Sequence, residues 1–392
     1  MIKYIKFYES RGLTIEKAMG QYLWDINGIK YLDFHTGHGV AFLGHNNPHV
    51  INALKSQLHK VMALTPTFDV KVREEMLDVL AKIIPARLGN ITLLNSGSEA
   101  VEFSLKVARK VSKRKKIIAF SNAFHGRTFG ALSVTWNPKY RKYFEPLLPE
   151  VTMIKFNSIS DLEAYLKGDV GCVIVELVQG EGGINVAKQE FIKYLRNKCD
   201  EVGAVLIFDE VQTGFGRTGR VWAFEHYGVL PDILIAGKAI GGGFPVSLVA
   251  MSDELTAELS YGDHGSTYGG NPLACAAVKA STEVLINDNV PQKAYSKGLQ
   301  LLNLLTKELS ENNLVREIRG LGLMLGIELK VLPTNIIKCL QLEKVIALKA
   351  GRTVVRLLPP YVITKEDIEW GVSSIVKCVN KELSNKLTHR ST

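Results

Sequence analysis

The sequence predicts an α/β protein with a mostly parallel β-sheet in a large domain and a smaller α+β domain beside it. Two observations lead to this fold class. Short apolar runs rich in β-branched residues alternate with helix-length segments through the middle of the chain, which is typical of a parallel sheet covered by helices on both faces. At 392 residues the chain is also long for one hydrophobic core, so a second domain is expected.

The predicted strands of the large sheet are short and apolar. They are ITLLN (91–95), KIIAF (116–120), GCVIVE (171–176), AVLIFDE (204–210), DILIA (232–236) and SLVAMS (247–252). Helices are predicted between several of them, for example EAVEFSLKVARKV (99–111) and EFIKYLRNKCDEVG (190–203). Because such sheets place ligands at the carboxyl ends of their strands, we expect the functional site there.

The character of the chain changes after NPLACAAVKASTEVL (271–285), which is predicted to be a helix. A long amphipathic helix, a segment with several glycines and the run VVRLLPPYVIT follow. Near the N-terminus, YLWDINGIKYLDF predicts a β-hairpin with Asn27 and Gly28 in its turn. We assign this hairpin to the smaller lobe, which gives a large domain at 46–284 and a small domain made of 1–45 and 285–392.

The composition excludes several classes of protein. Hydrophobic residues make up 46% of the chain and glycines number 34, which indicates a packed protein rather than a disordered or fibrous one. The start, MIKYIKFYESRGL, lacks the apolar segment of a signal peptide, and no run reaches the roughly 18 apolar residues of a membrane helix. We therefore expect a cytoplasmic protein without a membrane partner.

The cysteines predict neither a disulfide framework nor a thiolate metal site. All five lie far apart and form no CxxC pair: Cys172, Cys199, Cys275, Cys339 and Cys378. Because structural and metal-binding cysteines usually occur in recognisable spacings, we interpret these as ordinary core residues.

Positive charge is concentrated in one segment. The net charge is +9, and the densest cationic run spans residues 106–116. A helix whose last turn carries cations explains this run, and docking of an acidic partner is the sharper interpretation. A nucleic-acid partner is not expected, because the run lacks interleaved aromatic residues and any known nucleic-acid module.

One lysine, Lys238, stands between a predicted buried strand and the glycines of GKAIGGGFP (237–245). Burying an ammonium costs free energy. It also lowers the amine pKa, which makes available the neutral nucleophile that reacts with an aldehyde. A surface lysine whose amine reaches solvent is the common alternative, and the residues at the other strand ends decide between the two.

Asp209 ends the apolar run AVLIF, so it places a carboxylate at the mouth of a predicted central strand. A cap of a turn or helix is the simple interpretation. A carboxylate together with a reactive lysine is also the arrangement that tunes pyridoxal phosphate, where the acid keeps the ring nitrogen protonated. The second interpretation requires a phosphate site and a surface on which the ring can stack.

The segments LLNSGSEAVEFSL and SNAFHGRTFGALS supply both features. The first contains Ser96, Gly97 and Ser98 between a strand and a helix, where exposed N–H groups and hydroxyls bind phosphate. An ordinary serine N-cap would explain these serines equally well. In the second segment, Phe124 offers an aromatic face and Gly126 permits close approach of the backbone.

Seven motifs, in this order, resemble those of class III aminotransferases, which are pyridoxal-phosphate-dependent enzymes of fold type I: NSGSEAVE, FHGRTFGALS, VQGEGG, IFDEVQTGFGRTG, AGKAIGGGFP, HGSTYGGNPLA and VVRLLPP. The resemblance covers nearly the whole chain and points to the subgroup of acetylornithine aminotransferases and their relatives in lysine biosynthesis. It implies a seven-stranded sheet, a homodimer with the active site at the interface, and pyridoxal 5′-phosphate as cofactor.

The resemblance also implies the roles of the cofactor-binding residues. Lys238 would bind the cofactor covalently and move the proton between substrate and cofactor. Asp209 would pair with the ring nitrogen, and Gln212 would hydrogen-bond the ring oxygen. Gly97 and Ser98 would hold the phosphate together with Thr267 of the other subunit.

The same resemblance implies how two substrates share one pocket. Arg127 would hold the distal carboxylate of the amino acid, which suits the bidentate guanidinium, and Ser266 would lie beside the substrate. Arg356 would bind the α-carboxylate of glutamate or 2-oxoglutarate. Glu181 would mask Arg356 while a terminal amine reacts and would release it when the dicarboxylate enters. An ordinary surface ion pair is the alternative for both residues.

The segment DFHTGHGVAFLGHNNPH contains the histidines His35, His38, His45 and His49. Glycines and an Asn-Pro turn interrupt them and no carboxylate-rich surroundings are evident, so we predict no metal site. The resemblance places this loop at the substrate entrance, where ornithine aminotransferases are expected to have a tyrosine near the position of His38. The histidine therefore favours a substrate with a blocked α-amine over free ornithine.

These observations predict an ω-aminotransferase of lysine and arginine biosynthesis. It would move the terminal amino group between 2-oxoglutarate or glutamate and lysine or ornithine linked through its α-amine to the acidic carrier protein LysW. N-Acetylornithine is the alternative substrate. An aminomutase or decarboxylase on the same fold and a non-enzymatic binding protein are disfavoured, because residues for the cofactor and for two alternating substrates are all present.

Overall fold

The structure is a computed structural model that describes residues 2–388, with side chains to residue 385. The strands are β1 (Ile15–Met19), β2 (Tyr22–Asp25), β3 (Lys30–Asp33), β4 (Asn90–Leu94), β5 (Lys116–Phe120), β6 (Val151–Ile154), β7 (Val170–Val175), β8 (Val178–Gln179), β9 (Asn185–Val186), β10 (Val205–Glu210), β11 (Ile233–Ala236), β12 (Ser247–Met251), β13 (Val315–Leu321), β14 (Met324–Leu329), β15 (Val345–Ile346), β16 (Leu348–Ala350) and β17 (Val354–Leu357).

The helices are α1 (Thr36–Gly39), α2 (Pro48–Leu58), α3 (Lys71–Leu80), α4 (Gly97–Ser112), α5 (Phe129–Ser133), α6 (Pro138–Arg141), α7 (Ile159–Tyr165), α8 (Gln189–Val202), α9 (Asp253–Thr256), α10 (Pro272–Asn287), α11 (Val290–Leu309), α12 (Thr334–Leu342) and α13 (Lys365–Thr388). Short 3-10 helices lie at Ala86–Leu88, Ala223–His226 and Lys238–Gly241. Among residues 2–388, no helix has both the length and the apolar composition needed to cross a membrane.

A seven-stranded sheet in the order β4-β12-β11-β10-β7-β5-β6 forms the centre of the molecule. Strand β12 runs antiparallel to β4 and β11, and the other neighbours are parallel. The predicted fold class is confirmed, and every predicted apolar run is a strand of this sheet. The seventh strand, β6, was not predicted from its sequence, because it is a short edge strand that is only partly buried and has no continuous apolar run.

Helix α4 shows how the sequence positions the site. Ser96 caps its first turn by accepting a hydrogen bond from the N–H of Glu99 at 3.2 Å. Its apolar face, which includes Val101 and Leu105, is buried against the central strands. Lys113 ends the helix in the left-handed conformation. The N-terminus of α4 therefore lies at the carboxyl edge of the sheet, and its C-terminus lies at the opposite edge.

Two smaller sheets combine chain segments that are distant in sequence. One has the order β13-β14-β17-β16, and the other has the order β1-β2-β3-β15. The predicted hairpin is formed by β2 and β3, with Gly28 in the left-handed region at φ 75°. Because β3 pairs in parallel with β15, we propose that residues 1–45 and 285–392 form one domain and that residues 46–284 form the other.

Cys339 and Cys378 form a disulfide that joins α12 to α13, with 5.7 Å between their Cα atoms. The expectation that all cysteines are unpaired core residues was therefore wrong for these two. They are 39 residues apart, and only the packing of the two helices brings them together. Cys172, Cys199 and Cys275 are free and buried, as predicted.

We expect the disulfide to stabilise the lobe that contains α12 and α13. Closing a loop of 39 residues removes unfolded-state entropy worth roughly 3–4 kcal/mol. Urea unfolding of the oxidised and the dithiothreitol-reduced protein, followed by circular dichroism, measures the difference. A Cys339→Ala/Cys378→Ala variant is the control, because the reductant should not change its midpoint. Equal midpoints for the oxidised and reduced wild type would contradict a stabilising disulfide.

Candidate active site

A cavity of about 380 Å³ lies at the carboxyl edge of the central sheet, within the size range of small-molecule sites. It is formed by the segments that follow β4, β5, β7, β10 and β11, where parallel strands are expected to place ligands. Most of the predicted site residues line it: Ser96, Gly97, Ser98, Phe124, Glu181, Asp209, Gln212 and Lys238. Residues from five separate predicted motifs therefore meet in one cavity.

Lys238 begins a 3-10 turn directly after β11 and Gly237. Its backbone lies in the left-handed region at φ 47°, which is uncommon for a residue with a side chain. Burial lowers the pKa of its amine to about 8, against the opposing effect of the nearby Glu181 carboxylate. Its Nζ forms no hydrogen bond or salt bridge within residues 2–388. The amine is thus available for reaction at the centre of the cavity.

Asp209, at the end of β10, is held by two hydrogen bonds. Its Oδ2 lies 2.7 Å from Nδ1 of the fully buried His125, and its Oδ1 accepts from the N–H of Val211 at 3.1 Å. The other ring nitrogen of His125 is buried and has no partner among the described residues. His125 was not predicted from the sequence, because its partner lies 84 residues away and only the fold brings the two side chains together.

Glu176 is a second cavity residue that was not predicted from the sequence. It directly follows β7 and is buried, and its carboxylate accepts hydrogen bonds from the N–H groups of Phe124 at 2.8 Å and Gly180 at 3.1 Å. Burial raises its pKa to about 7. The side chain therefore ties the loop that carries Phe124 to the loop that leads to Glu181. The signal in the sequence that could have identified Glu176 was a carboxylate directly after a predicted buried strand.

The N-terminus of α4 forms a cradle for an anion. Ser96 and Ser98 lie in its first turn, and Oγ of Ser98 accepts from the N–H of Arg127 at 3.3 Å. A Cβ on Gly126 would lie 2.2 Å from that oxygen, so only glycine fits there. The helix N-terminus, Asp209, Phe124 and Lys238 surround one cavity. This donor set fits the phosphate, the ring nitrogen, the ring face and the aldehyde of pyridoxal phosphate.

Glu181 and Arg356 are in contact. Oε1 of Glu181 lies 2.7 Å from Nη2 of Arg356, whose side chain is 0% exposed on β17. Burial opposes ionisation of Glu181, but the guanidinium holds its pKa well below the usual range. Nη1 of Arg356 donates to Oε1 of Gln212 at 3.2 Å, and Nδ1 of His38 lies 3.8 Å from Glu181. Four of the predicted residues therefore form one connected polar group.

Five predicted residues lie outside the cavity lining, and two of them, Arg356 and His38, contact the lining residue Glu181. Arg127 is exposed and stacks on the ring of Tyr140 at 4.5 Å, beside the cavity mouth. Oγ of Ser266 accepts from the side chain of Asn95, next to the anion cradle, at 3.0 Å. Thr267 is exposed and does not contact the cavity in its own chain, so its contribution to a partner's site stays a prediction.

The other histidines of the substrate loop have ordinary partners. His45 pairs with Asp33 at 2.7 Å, and His49 pairs with Glu283 at 2.6 Å. Within the part of the chain that the structure describes, no group of three or more histidine, cysteine or acidic residues is placed to hold a metal ion.

The basic run at 106–116 lies away from the cavity. It occupies the second half of α4 and the start of β5, and sixteen residues of helix separate the two edges of the sheet by about 24 Å. Lys110 pairs with Asp263, and Lys116 pairs with Asp169 at 3.2 Å. Docking of an acidic partner on this run stays a prediction, and the position of Arg109 and Lys110 in the last turn of α4 is consistent with the helix-end interpretation.

The lowered pKa of Lys238 predicts how the apoenzyme binds pyridoxal phosphate covalently. Since the neutral amine reacts and its pKa is about 8, the rate should rise about tenfold per pH unit below 8 and level off above it. Borohydride quenching and mass spectrometry of the peptide that contains Lys238 measure this rate. The reaction of pyridoxal phosphate with Nα-acetyl-lysine amide in solution, measured in parallel, corrects for ionisation of the cofactor. A rate that continues to rise to pH 10 would contradict the burial of this amine.

Comparisons with known proteins extend over nearly the whole chain. A family model described as aminotransferase class-III matches residues 7–379. The chain is 52% identical over 388 residues to the LysW-aminoadipate semialdehyde/glutamate semialdehyde transaminase of Sulfolobus acidocaldarius, covering 98% of this chain and 100% of that protein. It is 41% identical over 377 residues to an acetylornithine aminotransferase of Methanocaldococcus jannaschii, with 93% of each chain covered.

The fold is similar to solved structures as well. The ornithine aminotransferase of Toxoplasma gondii superposes with a TM-score of 0.93 at 32% identity and covers 97% of this chain and 94% of that chain. The family predicted from the motifs is thereby confirmed. The chain belongs to the class III aminotransferases, enzymes that use pyridoxal phosphate as their cofactor.

Proposed function

We propose that this aminotransferase transfers an amino group between glutamate and the terminal carbon of a lysine or ornithine precursor whose α-amine is linked to the carrier protein LysW. The observation that carries the proposal is the contact of Glu181 with Arg356, at 2.7 Å, in the cavity that contains Lys238. A masked guanidinium beside the reactive lysine suits an enzyme that must accept a terminal amine and then a dicarboxylate.

The cofactor supplies an aldehyde carbon that takes up the amino group and a ring that accepts electrons from the substrate carbon. Asp209, positioned by His125, would hold the ring nitrogen in its protonated form. The N-terminus of α4 would bind the phosphate, and Phe124 would offer its ring to one face of the cofactor. With a pKa of about 8, the Lys238 amine is near the range in which it can take and return a proton. We therefore assign proton transfer at the substrate carbon to Lys238.

Glu181 and Arg356 select between the two substrates. While the two residues are paired, Glu181 neutralises the charge of Arg356. A substrate that presents a terminal amine or aldehyde can then enter, because Arg356 does not draw a carboxylate of that substrate into the wrong position. When glutamate or 2-oxoglutarate enters, its α-carboxylate replaces Glu181 on the guanidinium. Gln212 keeps one hydrogen bond to Arg356 in either case. Arg127, at the cavity mouth, is placed for the carboxylate at the other end of the substrate.

The carrier-linked substrate is supported by the relatives. Proteins named LysW-aminoadipate semialdehyde/glutamate semialdehyde transaminase are 52% and 54% identical to this chain, whereas the protein named acetylornithine aminotransferase is 41% identical. N-Acetylornithine is the second candidate substrate. The homodimer, the contribution of Thr267 to the partner's site and the cytoplasmic location stay predictions.

A comparison of donors tests the proposal. With 2-oxoglutarate as acceptor, we expect LysW-linked lysine and LysW-linked ornithine to react with a kcat/KM at least about tenfold above those of acetylornithine and free lysine, because contacts with the carrier add to transition-state binding and neither small substrate can make them. A preference for acetylornithine would support the second candidate, and a preference for free lysine would exclude both.

The absorption spectrum of the bound cofactor distinguishes a transferase from an aminomutase or a non-enzymatic binding protein. Glutamate should change the spectrum, and 2-oxoglutarate should restore it, because the amino group is held by the cofactor between the two half-reactions. Lys238→Ala should abolish the turnover while the circular dichroism spectrum stays unchanged. A spectrum that glutamate does not alter would exclude transamination.

Glu181→Gln tests the masking of Arg356. Loss of the carboxylate leaves Arg356 uncompensated, so we expect kcat/KM to rise several-fold for glutamate and to fall about tenfold for the terminal amine. Single-turnover kinetics of each half-reaction, with the cofactor spectrum as signal, measure both values. Glu283→Gln removes a carboxylate outside the cavity and is the matched control. A parallel change of both half-reactions would contradict a masking role.

A further inference from the structure

Glu181 lies in the turn of a short hairpin, residues 178–186, that is formed by β8 and β9. Its ion-pair partner, Arg356, lies on β17 of a different sheet. The distance between the two charges therefore depends on how this hairpin packs against the sheet β13-β14-β17-β16. Residues at that contact can affect the choice of substrate although they do not bind a substrate.

Arg319, on β13, binds the hairpin through its guanidinium. Nη2 donates to the backbone oxygen of Gly183 at 2.7 Å and to Oδ1 of Asn185 at 3.1 Å, and Nε donates to the backbone oxygen of Ile184 at 3.0 Å. Nη1 pairs with one carboxylate of β13 at 2.6 Å and one of β14 at 2.5 Å. The planar fork of arginine makes all of these contacts at once, which a lysine ammonium cannot do.

The segment that Arg319 binds has an unusual backbone conformation. Ile184 is fully buried and its φ is 57°, in the left-handed region that a β-branched residue rarely occupies. Such a conformation persists only where the surrounding contacts fix it. The N–H of Ile184 donates to the oxygen of Gln179 at 2.9 Å, and Arg319 donates to the oxygen of Ile184. Hydrogen bonds to both of its backbone polar groups therefore hold Ile184 in this conformation.

Ile184 packs next to the strand position of Arg356. Gly326, on β14, is the cross-strand partner of Arg356, and a Cβ on Gly326 would lie only 3.0 Å from Cβ of Ile184. At the turn of the hairpin, the N–H of Gly351 donates to the backbone oxygen of Glu181 at 2.7 Å. The backbone at Glu181 and the backbone that follows it are thus both attached to the sheet that carries Arg356.

We propose that Arg319 is a positioning residue for substrate selection: by fixing residues 183–185, it holds Glu181 at the distance at which its carboxylate pairs with Arg356. The inference rests on the proposed function, since it assumes that this pair masks Arg356 while a terminal amine reacts. Because the hairpin backbone is attached to the sheet, unmasking requires only that the Glu181 side chain leave the guanidinium. Arg319 does not line the cavity that contains Lys238, so it acts through Glu181.

Arg319→Met tests the inference. Single-turnover kinetics of the holoenzyme with glutamate and with LysW-linked lysine give kcat/KM for each amino donor. A hairpin released from β13 should leave Arg356 unmasked for more of the time, so we expect the ratio of the glutamate value to the lysine value to rise about fivefold. A loss of stability alone would lower both values and leave their ratio unchanged.

Arg319→Lys and Arg316→Met complete the comparison. Arg319→Lys keeps the positive charge but lacks the planar fork, so it should also raise the ratio, and it carries the test if Arg319→Met does not fold. Arg316 lies on the same strand and pairs with Glu328 at 3.7 Å, and within residues 2–388 it makes no hydrogen bond to the hairpin. Arg316→Met is therefore the matched control, and it should change the ratio less than about twofold.

The same substitution in a Glu181→Gln background shows whether Arg319 acts through Glu181. With no carboxylate left to position, Arg319→Met should change the ratio less than about twofold. A ratio that both Arg319 variants leave unchanged, or an equal change in the two backgrounds, would overturn the inference while leaving the proposed function intact. If Glu181→Gln by itself changed both half-reactions in parallel, the masking role and the inference would fail together.

Discussion

The ion pair between Glu181 and Arg356 connects the parts of this active site. Arg356 is a fully buried cation on a strand of one of the smaller sheets, and Glu181 is carried by a loop that follows the central sheet. A buried guanidinium without a partner is costly, so the cavity in its resting form requires this carboxylate. Since we propose that the same cation also binds a substrate carboxylate, its partner has to be replaceable, and the partial exposure of Glu181, 27%, fits that requirement.

Other buried charges near the site have fixed partners. Asp209 is bound by His125 and by a backbone N–H, and Glu176 accepts from two backbone N–H groups. Burial lowers the pKa of Arg217 to about 9, and its guanidinium has no carboxylate partner within residues 2–388. Its guanidinium instead donates to the backbone oxygens of Gly39, Leu323 and Pro359. These contacts hold the substrate loop against the segment that follows Arg356.

The charged groups of the cavity that have fixed partners and those that have replaceable partners serve different roles. The groups proposed to hold the cofactor are anchored by strands, a helix N-terminus and buried hydrogen bonds, so we expect their geometry to stay fixed between half-reactions. Of the groups proposed to meet the substrates, Glu181 and Arg127 lie on loops, whereas Arg356 lies on β17 and is buried with Glu181 as its replaceable partner. Positioning by rigid elements and selection by loops are the usual division in α/β enzymes.

The sequence by itself determined six of the seven strands of the central sheet, several of the polar residues at their ends and the family to which the chain belongs. Lys238 and Asp209 were predictable because a charged residue directly after a buried apolar run is physically conspicuous. The order of the motifs then predicted Glu181 and Arg356 without showing that they touch.

Only the tertiary structure decided which distant residues meet. The His125–Asp209 contact spans 84 residues, the Glu181–Arg356 contact joins two sheets, and the Cys339–Cys378 disulfide joins two helices. It also placed the basic run in the second half of α4 and the start of β5, away from the residues that line the cavity. Local patterns report burial and secondary structure, whereas contacts between distant residues depend on how the elements pack.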